Sequence, residues 1–582
     1  MNVPLGMASR KRRKRSPRLY MVMILFLLLL AFIPICWWVV TQIPSGERVA
    51  PYEGRKQVIV FQGKPYEKPF AQENEQVLLP FDFIKEHLDP HIFWDEPSNS
   101  IIVTTKDKVL RMESEKVVAY LNRTPVDLSV PVKEIDGVRF VPFSPLEKLY
   151  PVTVRVTESG MLIVEQDGYS VQSGEVIADE DQPELMRLGP SIKQPIVAEQ
   201  PAKAKVDILG ERDNWYQVET SDGIVGYLPK ESVRLQEIRK VTLPQTPEQA
   251  KAAPIKPLEG KVNLTWEQVS SRNPNLANIP AMPGLNVISP TWFELKDEQG
   301  TLSNKADPAY VEWAHKRGYQ VWGLVSNGFN PDWTQAVLKD FRLREKLVGQ
   351  ILNYADLYNL DGINLDFENV YLEDKQNLVQ FVRELTPYLH EQGLIVSMDV
   401  TIKSTSERWS LFYDRPALSQ VVDYMIVMTY DEHAAASPEA GSVASLPWVE
   451  EGLRGVLAEI PNDKLILGMP YYTRLWKEEK QSDGTIKVSS KALTMETAEA
   501  WMKERNLKAQ PDEQSGQLFV SYTDPQDGAT YKMWLEEAGS IQKRVELVHK
   551  YALAGVASWR RGYEKSGIWE TVQETLNKSG KP

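Results

Sequence analysis

A single cysteine, Cys36, stands in 582 residues, which excludes an internal disulfide framework. Histidine is scarce as well. The six are scattered without metal-ligand spacing, so no zinc site, other metal site or cofactor is predicted. A basic face is also missing. Net charge is −12, yet residues 1–18 hold seven Lys/Arg and no acid, so the remainder carries −19. An acidic body of this kind argues against nucleic acid as a partner. Hydrophobic residues (42%) and charged residues (25%) are otherwise ordinary for globular protein, and the length calls for several domains.

Long apolar runs are rare too, with one exception. Met21 to Val40 contains no charged residue and is long enough to span a bilayer. The cations between Arg10 and Arg18 precede it. The positive-inside rule then keeps residues 1–20 as a basic cytoplasmic tail, makes 21–40 a transmembrane anchor, and places the rest outside. Trp37 and Trp38 fall at the far interface, where indoles are favoured. A cleaved signal peptide fits less well, since no small-x-small site follows the run. Ile33-Pro34-Ile35 before Cys36 lacks the small residues of a lipoprotein signal. A buried core helix does not explain the basic flank. The expectation is a single-pass membrane protein with an extracytoplasmic body.

The most informative stretch is Asp361-Gly362-Ile363-Asn364-Leu365-Asp366-Phe367-Glu368. Apolar and polar residues alternate with period two, which predicts a strand with two unlike faces. On one face Asn364, Asp366 and Glu368 succeed one another at roughly 6–7 Å. Acids this close resist joint ionisation, so at least one carboxyl pKa should rise. A raised carboxyl is what a general acid needs near neutrality, and glycoside hydrolysis uses paired carboxyls. A solvated polar edge strand would show the same alternation. Asp361 is out of phase with the acidic face and is assigned a structural place at the strand start.

Around this stretch, eight apolar runs alternate with amphipathic segments over about 320 residues, predicting a (β/α)₈ TIM barrel at 258–578. The runs are Val262-Leu264, Leu285-Ser289, Tyr319-Ser326, Gly362-Glu368, Leu394-Val400, Tyr424-Tyr430, Leu465-Tyr471 and Gly555-Trp559. Glu368 then falls at the carboxyl end of a strand, where barrel sites lie. The long spacing from Thr473 to about Lys532 predicts a small α+β insertion after strand 7.

Upstream, two segments echo each other about 61 residues apart. Leu78-Leu79-Pro80-Phe81 matches Phe140-Val141-Pro142-Phe143, and Ile101-Ile102-Val103 matches Leu162-Ile163-Val164. They predict a duplicated α+β module at 51–168. Within 171–236, Asn214-Trp215-Tyr216-Gln217-Val218, then Ser221-Asp222-Gly223, then Gly226-Tyr227-Leu228 reads as a hairpin with an Asp-Gly turn, part of a small β-barrel. Core packing accounts for Trp215 and Tyr227. Residues 237–257, rich in Pro, Ala, Gln and Lys, predict an extended linker.

These motifs resemble known families. The acidic run resembles the glycoside hydrolase family 18 signature, Asp-Gly-x-[Asp/Asn]-x-[Asp/Asn]-x-Glu. Met428-Thr429-Tyr430-Asp431, Gly468-Met469-Pro470-Tyr471-Tyr472 and Ser558-Trp559 resemble the ends of the family's sixth, seventh and eighth strands, and Ser326-Asn327-Gly328 more loosely its third. Family members of spore-forming bacteria that cleave cortex or wall glycan have similar Asp-Gly-Ile-Asn-x-Asp-Phe-Glu runs. The duplicated module resembles the N-terminal domain of copper amine oxidases, without implying copper: His87 and His91 are separated by the helix-breaking Pro90. The 171–236 module resembles bacterial Src-homology-3-like domains, usually wall-binding.

The resemblance implies a retaining, substrate-assisted glycosidase acting on N-acetylhexosamine polysaccharide, peptidoglycan before chitin. Glu368 would be the acid/base. Asp366 would orient the substrate acetamido group, and Tyr430 would hydrogen-bond it. Trp559 would floor the sugar, with Asn364, Met428, Asp431 and Tyr471 as further substrate contacts. Asn364 stands where many members have a further Asp. The rival expectations are a non-catalytic lectin and a cell-wall scaffold. Retention of Glu368 weighs against the lectin.

Overall fold

The computed structural model describes residues 17–243, 258 and 260–578, with side chains left undescribed at 17–20, 27–31 and 33–36. The chain forms two compact units: Met1–Leu88 with Glu134–Thr246, and Asp89–Lys133 with Pro247–Pro582.

In the first unit, Pro17–Gln42 is helical. Among the described residues no helix is long and apolar enough to cross a membrane. The middle of the Met21–Val40 run lies outside the described side chains, and the basic residues 10–15 lie outside the described residues, as does 244–257 of the expected linker. The strand Val233–Lys240 enters the first residues of that connector.

The two echoing segments pair directly. Leu78, Leu79 and Pro80 lie antiparallel to Pro142, Val141 and Phe140, and Ile59–Phe61 runs parallel to Leu162–Val164. A seven-stranded antiparallel sheet follows between Ser170 and Lys240. Its hairpin pairs Trp215–Thr220 with Val225–Pro229, and Gly223 takes the positive φ of 75° that the turn demands.

The second unit is built on eight parallel strands. They are β1 Val262–Glu267, β2 Val287–Pro290, β3 Gln320–Ser326, β4 Gly362–Asp366, β5 Ile395–Thr401, β6 Tyr424–Met428, β7 Leu465–Pro470 and β8 Gly555–Trp559. Each pairs in parallel with the next, β1 pairs β8, and the ring closes. Alternation sorts the side chains as the pleat requires. Ile363, Leu365, Phe367, Val396, Met398 and Val400 join the layer between strands and helices. Val262, Leu264, Trp266, Trp322, Leu324, Ile426 and Ala557 fill the barrel interior.

An α+β insertion follows β7: a five-stranded antiparallel sheet between Tyr472 and Leu535, with helix Met495–Glu504. A second addition comes from far upstream. The antiparallel meander Phe93–Asp127 belongs to the barrel's unit. Ile102 and Val109 pack on Phe341, the first residue of helix Phe341–Leu357. Asp95 accepts the Phe341 amide at 3.2 Å and pairs at 3.0 Å with Arg344, both side chains fully buried. Arg383, on helix Lys375–Glu391, donates to Thr104.

Candidate active site

The acidic face of β4 points into the barrel mouth. Phe367, on the opposite face, stacks on Phe381 of an outer helix at 5.6 Å. That fixes the phase of the strand, so Asn364, Asp366 and Glu368 share the inner side. Two contacts aim the turn after β4. Asn327, just past β3, accepts the Glu368 amide at 3.1 Å and donates to its carbonyl at 2.7 Å. Tyr413 donates to the Phe367 carbonyl at 2.8 Å.

Asn364 has no exposed surface. Its Oδ1 accepts from Trp266 Nε1 at 2.9 Å and from Ser289 Oγ at 3.1 Å. Its Nδ2 donates to Asp399 Oδ1 at 2.8 Å and to Ser397 Oγ at 3.1 Å. The amide therefore braces β1, β2 and β5 beneath the mouth, and its bonds go to these partners rather than to Asp366.

Above it, Asp366 is 8% exposed, and its Oδ1 is buried without a hydrogen-bond partner. Burial pushes its pKa up to about 7. Burial first, then the charges of Asp366 and Asp431, push Glu368 up to about 9. Burial and Asp366 likewise hold the carboxyl of Asp399 well above the usual range. Glu368, placed this way, keeps its proton at neutral pH and can give it away.

The remaining predicted residues distribute around this cluster. Tyr430, beyond β6, packs on the barrel-interior cluster, as does Trp559. Burial first, then Asp399, Asp366 and Glu368, raise its hydroxyl pKa far above the ordinary value. Trp559, at the end of β8, is half-buried with its ring 5.8 Å from Trp266. Met428 ends β6 and is half-buried. Asp431 is exposed with a left-handed φ of 61°, and accepts from the Tyr472 hydroxyl at 2.5 Å and Arg474 at 3.2 Å.

Tyr471 lies elsewhere. It shares the helix-facing side with Leu465, Leu467 and Met469, has no exposed surface, and meets Trp569 edge-on at 5.5 Å. Its neighbour Tyr472 reaches Asp431 instead. Sequence reasoning also passed over Trp266 and Asp399, and matched Asn327 to a strand-end motif without giving it a role. Asp399 had a legible signal: a lone acid inside the apolar run Ile395-Val396-Ser397-Met398-Asp399-Val400. Among the described residues no group of three His, Cys, Asp or Glu is placed to hold a metal ion.

Residues 294–564 match the family description "Glycosyl hydrolases family 18". The barrel is a family 18 glycoside hydrolase domain. Residues 57–162 match the copper amine oxidase N-terminal domain and residues 186–234 the bacterial SH3 domain. The chain is 26% identical over 299 residues to an uncharacterized glycosylase, YvbX, of Bacillus subtilis, covering 50% of this chain and 84% of that one. It is 25% identical over 261 residues to the cortical fragment-lytic enzyme of the same organism, covering 44% and 59%. A solved structure, the spore cortex-lytic enzyme SleL of Bacillus cereus, aligns with TM-score 0.49 and 23% identity over 54% of this chain and 74% of that one.

Proposed function

We propose that the chain is a membrane-anchored, outward-facing glycosidase that hydrolyses β-linked N-acetylglucosamine glycan, peptidoglycan before chitin, with retention of configuration. One observation carries the reading: buried Asp366 at the end of β4 and half-buried Glu368 just beyond it share the inner side, with raised pKa values and no cation paired to either among the described residues.

Glu368 protonates the glycosidic oxygen. The substrate's own 2-acetamido oxygen attacks the anomeric carbon, so no second protein nucleophile is needed. Asp366 as the anion accepts the amide N–H and offsets the positive charge of the cyclised intermediate. Tyr430 hydrogen-bonds the same acetamido group, and Trp559 supplies the apolar floor. Water, deprotonated by Glu368, then opens the intermediate. Half-exposed Phe329 and Trp409, on the loops after β3 and β5, offer stacking faces to further sugar units. The wall preference draws on the bacterial SH3 match and on the cortex-lytic relative. The anchor draws on the uncharged run after seven cations, which orients the barrel outward.

The test is mass analysis of products from solubilised peptidoglycan and from chitooligosaccharides. New N-acetylglucosamine reducing ends, lost in Glu368→Gln, are expected. Binding of glycan without turnover by the unmodified protein would instead identify a lectin. Membrane fractionation of cells, with protease applied from outside, checks the orientation.

A further inference from the structure

The signature position held by Asn364 carries no acid, but an acid stands one strand away. Asp399 is on the inner side of β5, only 1% exposed. It is tied to the Asn364 amide, whose orientation is set by donors on one end, Trp266 and Ser289, and acceptors on the other, Asp399 and Ser397. Burial first, then Asp366 and Glu368 from β4, push the carboxyl of Asp399 up, Asn364 and Trp266 oppose them as hydrogen-bond donors, and Tyr430 beyond β6 and Tyr413 from the segment after β5 also face it. None of these groups is a cation. No ion pair reaches Asp366, Glu368 or Asp399 among the described residues. β4 and β5 run parallel with Leu365 opposite Met398, so Asp366 and Asp399 follow side by side on the inner face, and the buried Oδ1 of Asp366 has no donor among the described residues. An ionised carboxylate can only accept, and neighbouring buried carboxyls without a cation settle into sharing one proton.

We infer that Asp399 is a positioning residue for the reaction proposed above: it keeps the single proton of the Asp366–Asp399 pair, so that Asp366 meets the substrate amide as an anion. The pair carries one negative charge before and after the sugar arrives. Only the place of the proton changes, from shared to resident on Asp399. The inference rests on the glycosidase reading, and Asn364 serves it as a clamp on Asp399.

The experiment compares the full chain with Asp399→Asn and with the swap Asn364→Asp/Asp399→Asn, reading kcat and KM on chitooligosaccharide against pH. Asp399→Asn should lower kcat about tenfold with KM within about twofold, and move the acidic limb up by about one pH unit, since Asp366 loses the neighbour that steadies its anion. The swap, which returns an acid to the same buried space, should bring the limb back. An unchanged limb in Asp399→Asn, or no recovery in the swap, overturns the assignment. Should Asp399→Asn not fold, the swap alone decides, by whether its limb coincides with that of the unmodified chain. Difference infrared spectroscopy in the Glu368→Gln background gives a readout free of turnover. At about pH 9, above the shifted limb of Asp366, a protonated-carboxyl band should remain with Asp399 present and vanish with Asp399→Asn, and its persistence there would overturn the inference. If neither glycan is cleaved, the glycosidase reading fails, while the infrared comparison still decides where the proton lies.

Discussion

Glu384 and Glu536 are as deeply buried as Asp366, but each lies in the fork of an arginine. Arg344 donates from two nitrogens to Glu384, both at 2.9 Å, and Gln380 adds a third bond. Arg544, Gln517 and Ser540 enclose Glu536. Burial pushes both carboxyls up and the arginines oppose it. Asp366, Glu368 and Asp399 have the burial without the arginine. The same cost of desolvation thus has two uses in one barrel. Where a cation answers it, the result is a fixed joint, between two helices for Glu384 and at the start of the helix Ala538–Lys550 for Glu536. Where none does, the result is a cluster of acids that exchange protons among themselves near neutral pH.

Removing the unanswered side should give the largest effect. Glu368→Gln is expected to cost about 10²- to 10⁴-fold in kcat with the fold intact, as loss of a general acid does. Steady-state rates alongside far-ultraviolet circular dichroism check both halves. Next comes the answered side. Arg344→Met leaves Glu384 and Asp95 buried without their cation and should destabilise the unit by about 3–5 kcal/mol, while the folded fraction keeps its kcat. Denaturant unfolding measures the first, and a loss under about 1 kcal/mol would erase the contrast between the two kinds of acid.

The pH dependence sharpens the contrast further. Glu368 must hold its proton, so kcat/KM should fall as pH rises toward about 9. Asp366 must be ionised, so kcat/KM should also fall as pH drops below about 7. The two limbs belong to the coupled cluster rather than to single residues. The smallest effect is on stability. The folded pKa of Glu368 lies above its unfolded value, so the native state binds more protons and stability falls as pH rises between about 4.5 and 9. Glu368→Gln should flatten that slope and raise Tm by a few degrees at pH 8, as read by calorimetry.

The β4 site was readable because a strand's period of two needs no tertiary knowledge. Ile363, Leu365 and Phe367 had to lie on one side, which put Asn364, Asp366 and Glu368 on the other. Eight apolar runs with helical spacers likewise permit few closures other than the barrel. The same rule placed Tyr471 by its motif but not by its phase: Leu465, Leu467 and Met469 carry it outward, and Tyr472 takes the inner side. The work of Asn364 was hidden because its partners come from β1, β2 and β5, up to 98 residues away. Asp95 was less accessible still, bonding a backbone amide 246 residues downstream. A repeat pattern says which segments are alike. It does not say that residues 89–133 of the repeat will pack with a barrel whose first strand begins at Val262.

That excursion has a practical and an evolutionary side. Cleaving the backbone anywhere between Leu243 and Leu258 would not by itself release the hydrolase, because the meander on the upstream fragment would still grip it through Asp95, Thr104 and Ile102. By the same token, the barrel cannot be transplanted as a cassette starting at its own first strand. A lineage that borrowed it alone would inherit an arginine stripped of one of its two anions.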